Sequence, residues 1–275
     1  MSSVTPAPAA EHRSSKLLAL AGLVVMLALL GATSVGWFGP NPVGQSSQDT
    51  APLLIPPGPA FSIWGPIYTG LIVFVVLQLV KARTNSDLWI PLRRLAAINM
   101  LLNGLWLVVT SYDMLWTSVV IIIGMLYTLF RINRLFAQLA IEGVGHSFWG
   151  ERLVFGVYFA WVTLATALNV TGALYFYNWG GFGWPAENWT VVITVIVAAI
   201  AGYTAVKFRS PAYALVVVWA FGWLGIRHYQ ENALLATLSL VVVVLFMVLS
   251  AILLGGWTKR SLTPPHHDRP DVQLR

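Results

Sequence analysis

Aromatic and amide side chains recur at helical spacing in a chain that is otherwise apolar. Asn99, Asn103 and Trp106 are separated by four and three residues, which places all three on one face of a helix. Tyr158, Trp161, Ala165 and Asn169 follow at spacings of three, four and four. Tyr158, Trp161 and Asn169 therefore form a second stripe, with the small Ala165 permitting close approach. An amide in hydrocarbon seeks a partner on a neighbouring helix, a contact worth about 1–2 kcal/mol in peptides and nearer ~0.6 in a folded membrane protein. Taken alone, the two stripes read as interhelical glue or as the walls of a ligand pocket. A third segment bears on that choice: Pro56-Pro57 precedes Phe61, and Trp64-Gly65-Pro66 leads to Tyr68, with Trp64 and Tyr68 four apart. Pro66 within a helix removes a hydrogen bond and crowds the preceding turn, and Gly65 beside it admits a kink or close packing, so a bent helix entrance is expected. Irregular backbone at membrane depth persists only where protein buries it or where it lines a cavity. These three segments together point to a pocket.

Other chemistry is poorly supplied. No Gly-rich phosphate loop, Ser/His/Asp set or helix-borne HExxH is present. Cysteine is absent, which excludes disulfides, thiolate metal sites and Cys nucleophiles. All ten acidic residues fall in loops, tails or at the ends of apolar runs, and no lysine lies in the middle of one, which argues against an acid-relay pump or a Schiff base. His228 reads as an interfacial histidine, and His266 and His267 as a solvated tail pair. No metal site is expected. Any catalysis would rest on tryptophan side chains and a ligand's own photochemistry, so enzymatic activity is left open and is not the favoured reading.

The elements that must position these residues are transmembrane helices. The 275 residues are 57% hydrophobic and only 9% charged, with mean hydropathy +0.74, against about a quarter charged in soluble domains. Runs long enough to cross a bilayer occur at about 16–37, 61–80, 92–111, 115–135, 153–176, 189–207, 212–226 and 233–257. Residues 1–15 read as a disordered tail, 38–60 as a Pro/Gly/Ser-rich loop and 258–275 as a flexible tail. The first run exceeds a signal-peptide core of about 7–15 residues and is read as a retained span. Basic residues alternate from one junction to the next, with Arg227 the single exception. By the positive-inside rule both termini are cytoplasmic and the fold class is an all-α polytopic bundle of about eight spans. The seventh span, short and following Pro211, is the one that a re-entrant segment would replace. The net charge of +6 is spread over many junctions, so it indicates orientation and no nucleic-acid partner. Trp37, Trp89, Trp116, Trp149, Trp179, Trp184, Trp189 and Trp257 are expected in an interfacial belt, and Trp219 and Trp223 share a face of the seventh span. Ala198 and Gly202 form a small-xxx-small step that packs helices within the chain or, alternatively, in a homodimer.

The order of these motifs resembles the TspO/MBR family, the tryptophan-rich sensory proteins that include the mitochondrial translocator protein. That family's second span opens after Pro-Pro with an aromatic, Gly-Pro, any residue and a second aromatic. Its third span carries Gln-x-x-x-Asn-x-x-Trp, to which Asn99, Asn103 and Trp106 are similar. Its fifth span carries Pro-Tyr-x-x-Trp-x-x-x-Ala-x-x-x-Asn, which resembles Tyr158, Trp161, Ala165 and Asn169 with Val157 in the proline's place. The resemblance covers about 16–177, as a five-helix bundle, and leaves 178–257 as three additional spans, like the long bacterial branch of the family. If Gly65-Pro66 sets the register, Tyr68 takes the family's tryptophan place; if Pro56-Pro57 and Phe61 set it, Trp64 does.

The resemblance implies binding of planar hydrophobic ligands, porphyrins and haem-type tetrapyrroles among them, with no required cofactor. Trp64, Tyr68, Trp106, Tyr158 and Trp161 would form the walls, Asn99, Asn103 and Asn169 the polar fixing points. Pro56, Pro57, Phe61, Gly65 and Pro66 would form the lid and helix entrance. The expected partners are the lipid bilayer and the small-molecule ligand, and the expected location is the bacterial cytoplasmic membrane. A transporter using all eight helices and a tetrapyrrole-degrading photo-oxidative activity are the alternatives.

Overall fold

The structure is a computed structural model that describes residues 8–40, 52–81, 86–144 and 151–261. The described residues form eight α-helices: α1 Ala9–Ser34, α2 Trp64–Val80, α3 Trp89–Ser111, α4 Leu115–Ile141, α5 Leu153–Phe176, α6 Ala186–Lys207, α7 Pro211–His228 and α8 Ala233–Ser261. A 3₁₀ segment, Gly58–Ile63, leads directly into α2. Among the described residues there is no strand. Seven of the helices are long and apolar enough to span a membrane, with α7 outside that set.

The helices run up and down, and polar contacts at their ends identify the two sides. On the basic side, Arg94 of α3 donates to Glu11 of α1 (3.4 Å) and Arg152, just before α5, donates to the Phe208 carbonyl after α6 (3.3 Å). On the opposite side, Asn232 before α8 donates to Glu187 at the start of α6 (2.8 Å). The two ends of α7 reach opposite sides. Ser250 of α8 donates to the Pro211 carbonyl at its start, and Arg227 at its finish donates to the Pro52 carbonyl in the loop after α1. Its 18 residues extend roughly 27 Å, so α7 reaches from one side of the bundle to the other although its hydropathy is below that of the seven span-type helices.

Close approach of backbones sets the helix pairs. A Cβ on Gly22 of α1 would lie 2.9 Å from the Ala97 carbonyl oxygen of α3, so only glycine permits this crossing. Gly104 of α3 likewise faces Met26 and Leu29 of α1. Gly202 of α6 faces Phe246 of α8, so the small-residue step packs within the chain. One continuous apolar core includes Met26, Leu71, Phe74, Met100, Ile122, Phe155, Val197, Val217 and Phe246, which span all eight helices. The helices after 177 thus share the core of the first five.

Several expectations are corrected. Residues 9–15 are helical, because His12 and Ser15 are buried against Arg93 of α3; residues 1–7 lie outside the described part. Helix α8 continues to Ser261, past the expected end at 257, and 262–275, with His266 and His267, lie outside the described residues. Pro66 stands in the first turn of α2, where its missing N–H costs no bond, and a Cβ on Gly65 would meet open space. The bend expected at Gly65-Pro66 is replaced by the 3₁₀-to-α transition at Trp64. Pro211 occupies the first position of α7, so neither proline interrupts a helix. Trp89 does not belong to an interfacial belt: it is 0% exposed, 6.3 Å from Phe136 and 5.8 Å from the Arg93 guanidinium. Trp37 is 79% exposed, and Trp179, Trp184 and Trp189 cluster in and beside the α5–α6 connection, as a belt requires. Trp149 lies outside the described residues.

Candidate functional site

Helices α2, α3 and α5 bring six of the motif residues together around Trp64. The Trp64 ring lies 5.4 Å from Tyr68 and nearly parallel to it, 6.1 Å from Trp106, 5.9 Å from Tyr158 and 6.3 Å from Trp161, the last two edge-on. Offset and edge-to-face contacts of this kind are the favoured aromatic arrangements. Phe61, from the 3₁₀ segment, meets Trp161 edge-on at 5.7 Å. Trp64 is therefore the hub of the cluster. It opens α2 because the Pro57 to Ile63 stretch winds as 3₁₀ and hands its last residue to the helix.

Asn103 ties the cluster from below. Its Nδ2 donates to the Tyr158 hydroxyl (2.8 Å) and its Oδ1 accepts from the Tyr68 hydroxyl (3.4 Å), so one amide links α2, α3 and α5. Asn103 and Tyr158 are completely buried. Two other donors are not satisfied: the indole N–H groups of Trp106 and Trp161 are buried and have no hydrogen-bond partner among the described residues. Buried polar groups without partners are rare and costly, which makes this pair informative.

The other two asparagines are not brought to the cluster. Asn99 turns to α4, donating to the Met125 carbonyl (3.1 Å) and the Thr128 hydroxyl (2.7 Å). Asn169 accepts from Ser118 of α4 (2.7 Å). Both act as interhelical ties, because at their depths the nearest polar partners belong to α4. Of the lid residues, Phe61 touches the cluster, Pro56 is buried near α5 and α7, and Gly65 and Pro66 are exposed. Residues 41–51 of the expected lid lie outside the described part.

The rings of the cluster pack on one another. An open groove of about 830 Å³ runs between α7 and α8, past Phe221, Gly225, Arg227, Glu231 and Leu240. A small cavity of about 30 Å³ lies beneath Leu54 and Pro56, against Leu164, Leu168, Ala220 and Leu224. Neither borders Trp64.

Two polar constellations escape sequence reasoning. On the basic side, Arg93 is 0% exposed; its Nε donates to Gln78 Oε1 (3.0 Å), and Gln78 Nε2 donates to the buried Glu151 (2.7 Å). Arg93 also approaches His12 and Ser15 (both 3.4 Å), and His12 pairs with Asp87 (3.3 Å). The amide of Gln78 near the end of an apolar run was the available signal. On the opposite side, Trp219, Arg227 and His228 of α7 bond to the loop before α2. Arg227, the one basic residue that breaks the alternation of charge, was the signal there. His228 is 1% exposed, a bonded residue rather than an interfacial one.

Residues 16–253 match the TSPO-like protein family. The chain belongs to that family. The match begins within α1 and ends within α8, so it runs well past the five-helix portion expected to end at 177 and includes the three C-terminal helices. No curated protein and no solved structure matches the chain. Family membership and the span-length helices together identify an integral, multi-pass membrane protein.

Proposed function

We propose that this TSPO-like protein is a membrane receptor or carrier for planar hydrophobic ligands, with porphyrin-type tetrapyrroles as the ligand class, bound at the cluster of Trp64, Tyr68, Trp106, Tyr158 and Trp161. The observation that carries this reading is the pair of unpartnered indole N–H groups on Trp106 and Trp161, flanking a ring that is itself planar and aromatic. Trp64 exemplifies what the surrounding rings accept: a flat π-system stacked on one partner and edge-on to two others. A ligand taking its place would gain the same contacts and offer acceptors, such as carboxylates, to both indoles. Trp64 is only half-buried and sits where the 3₁₀ segment meets α2, so moving that segment moves Trp64. Asn103 holds Tyr68 and Tyr158 in place as walls. The transporter alternative drew on helix breaks at Pro66 and Pro211, and both prolines stand in first turns.

The test is titration of the purified protein with protoporphyrin IX, followed by tryptophan fluorescence. Trp106→Phe and Trp161→Phe remove the N–H groups and keep a smaller aromatic ring at each position. Each is expected to weaken binding about tenfold with only a modest loss of thermal stability, since the lost ring volume is partly offset by removal of a buried unsatisfied donor. Equal affinity in both variants and the parent would remove the indoles from the site.

A further inference from the structure

Helix α7, which carries none of the aromatic motifs, bonds to the segment that leads into α2. Arg227 Nη1 donates to the Pro52 carbonyl (2.9 Å) and also to the Ile55 carbonyl. His228 Nε2 lies 2.7 Å from the Leu53 carbonyl oxygen, which can only accept, so the imidazole donates. Two turns earlier, Trp219 Nε1 donates to the Ala60 carbonyl (2.9 Å). Three side chains of α7 thus hold four main-chain carbonyls of residues 52–60, a stretch with no regular ladder of its own before the 3₁₀ turn. The apolar side of that stretch is fixed as well: Leu54 and Pro56 are buried over Leu164 and Leu168 of α5 and Ala220 and Leu224 of α7.

We infer that α7 is a latch for the lid. Trp219, Arg227 and His228 are positioning residues that keep 52–63 closed over the outer end of the aromatic cluster, so ligand access requires these bonds to be exchanged. Placement supports this on two grounds. Carbonyls covered away from water need donors, here even where that of Pro52 also accepts the Ile55 N–H (2.9 Å), and a cation gives the stronger bond. The last turn of a helix also favours a positive side chain, because its own carbonyls point outward there. Arg227 meets both needs, which explains a basic residue on the side that is otherwise poor in them. The inference rests on the proposed function only for what the lid covers; the closure of the lid is measurable without any ligand.

The chain has no cysteine, so single cysteines report cleanly. In the full-length protein, Leu54→Cys places a thiol on the buried side of the lid and Gly58→Cys one on its exposed side. Labelling by a membrane-impermeant maleimide is expected to be slow at Leu54→Cys and fast at Gly58→Cys. Adding Arg227→Gln should speed labelling at Leu54→Cys at least about tenfold, and adding Trp219→Phe, which keeps a smaller aromatic ring and removes one bond, by a smaller factor; the Gly58→Cys rate should stay constant. Size-exclusion profiles identify any variant that fails to fold, and Trp219→Phe is the variant expected to keep its packing. Unchanged labelling of Leu54→Cys in folded Arg227→Gln and Trp219→Phe proteins would overturn the latch. Protoporphyrin association should accelerate in parallel. If protoporphyrin binds no variant while labelling accelerates, the ligand reading falls and the latch stands.

Discussion

Asn103 is the residue on which three helices depend. Replacing it with Ala strands the buried hydroxyl of Tyr158 and the half-buried one of Tyr68, and an unsatisfied buried polar group costs about 1–3 kcal/mol. Asn103→Ala should lower the apparent melting temperature by several degrees, and adding Tyr158→Phe should recover part of the loss, since it removes one stranded hydroxyl. Additive losses in that double-mutant cycle would show that the two side chains do not act together. The two stripes and the segment opening α2 announced Trp64, Tyr68, Asn103, Trp106, Tyr158 and Trp161 by type and spacing, and the fold gathers all six. Spacing did not reveal that Asn99 and Asn169 face α4, because a helical stripe gives an angle and not the neighbour that fills it at each depth. Arg93 escaped for a related reason. A charge near the end of an apolar run reads as solvated, but α3 starts at Trp89 and α1 at Ala9, so the ends of both helices cover it.

Among the elements, α1 and α3 are held at a distance that only a hydrogen at Gly22 permits. Gly22→Val should force them apart, at a cost of about 1–3 kcal/mol, typical of overpacking a tight contact. Gly31, on the same helix, faces open space, so Gly31→Ala should be neutral or stabilising by up to ~1 kcal/mol through helix propensity. Equal effects of the two substitutions on thermal stability would refute the close-contact explanation. Element existence was legible from hydropathy because each run had to bury its backbone polar groups in a helix. Boundaries were less so. The missed first turn of α1 is amphipathic and carries Glu11, His12 and Arg13, which hydropathy reads as solvent. The expected kink at Pro66 came from placing the helix start too early; the helix begins at Trp64, and the proline is tolerated there.

At the scale of the whole molecule, the last three helices complete the bundle. Tyr213 of α7 donates to Thr163 of α5 (2.8 Å) and packs edge-on against Phe159, which in turn meets Phe208 after α6. A chain ending at residue 180 would expose this face of α5 and leave the lid without its donors. It should elute as aggregate or lose its cooperative thermal transition, whereas a stable, monodisperse truncated protein would establish the first five helices as an independent unit. Charge alternation made the up-and-down topology readable before any packing was known. The role of α7 was not readable, because main-chain carbonyls, which accept its donors, leave no mark in a sequence.

The buried chain of Arg93, Gln78 and Glu151 puts bonded charges at the basic end of the bundle, while the opposite end carries the strap of residues 52–63. Under the proposed function and the latch, ligand enters from the strap's side of the membrane, and release of the strap sets how fast the cluster responds to a change in concentration on that face.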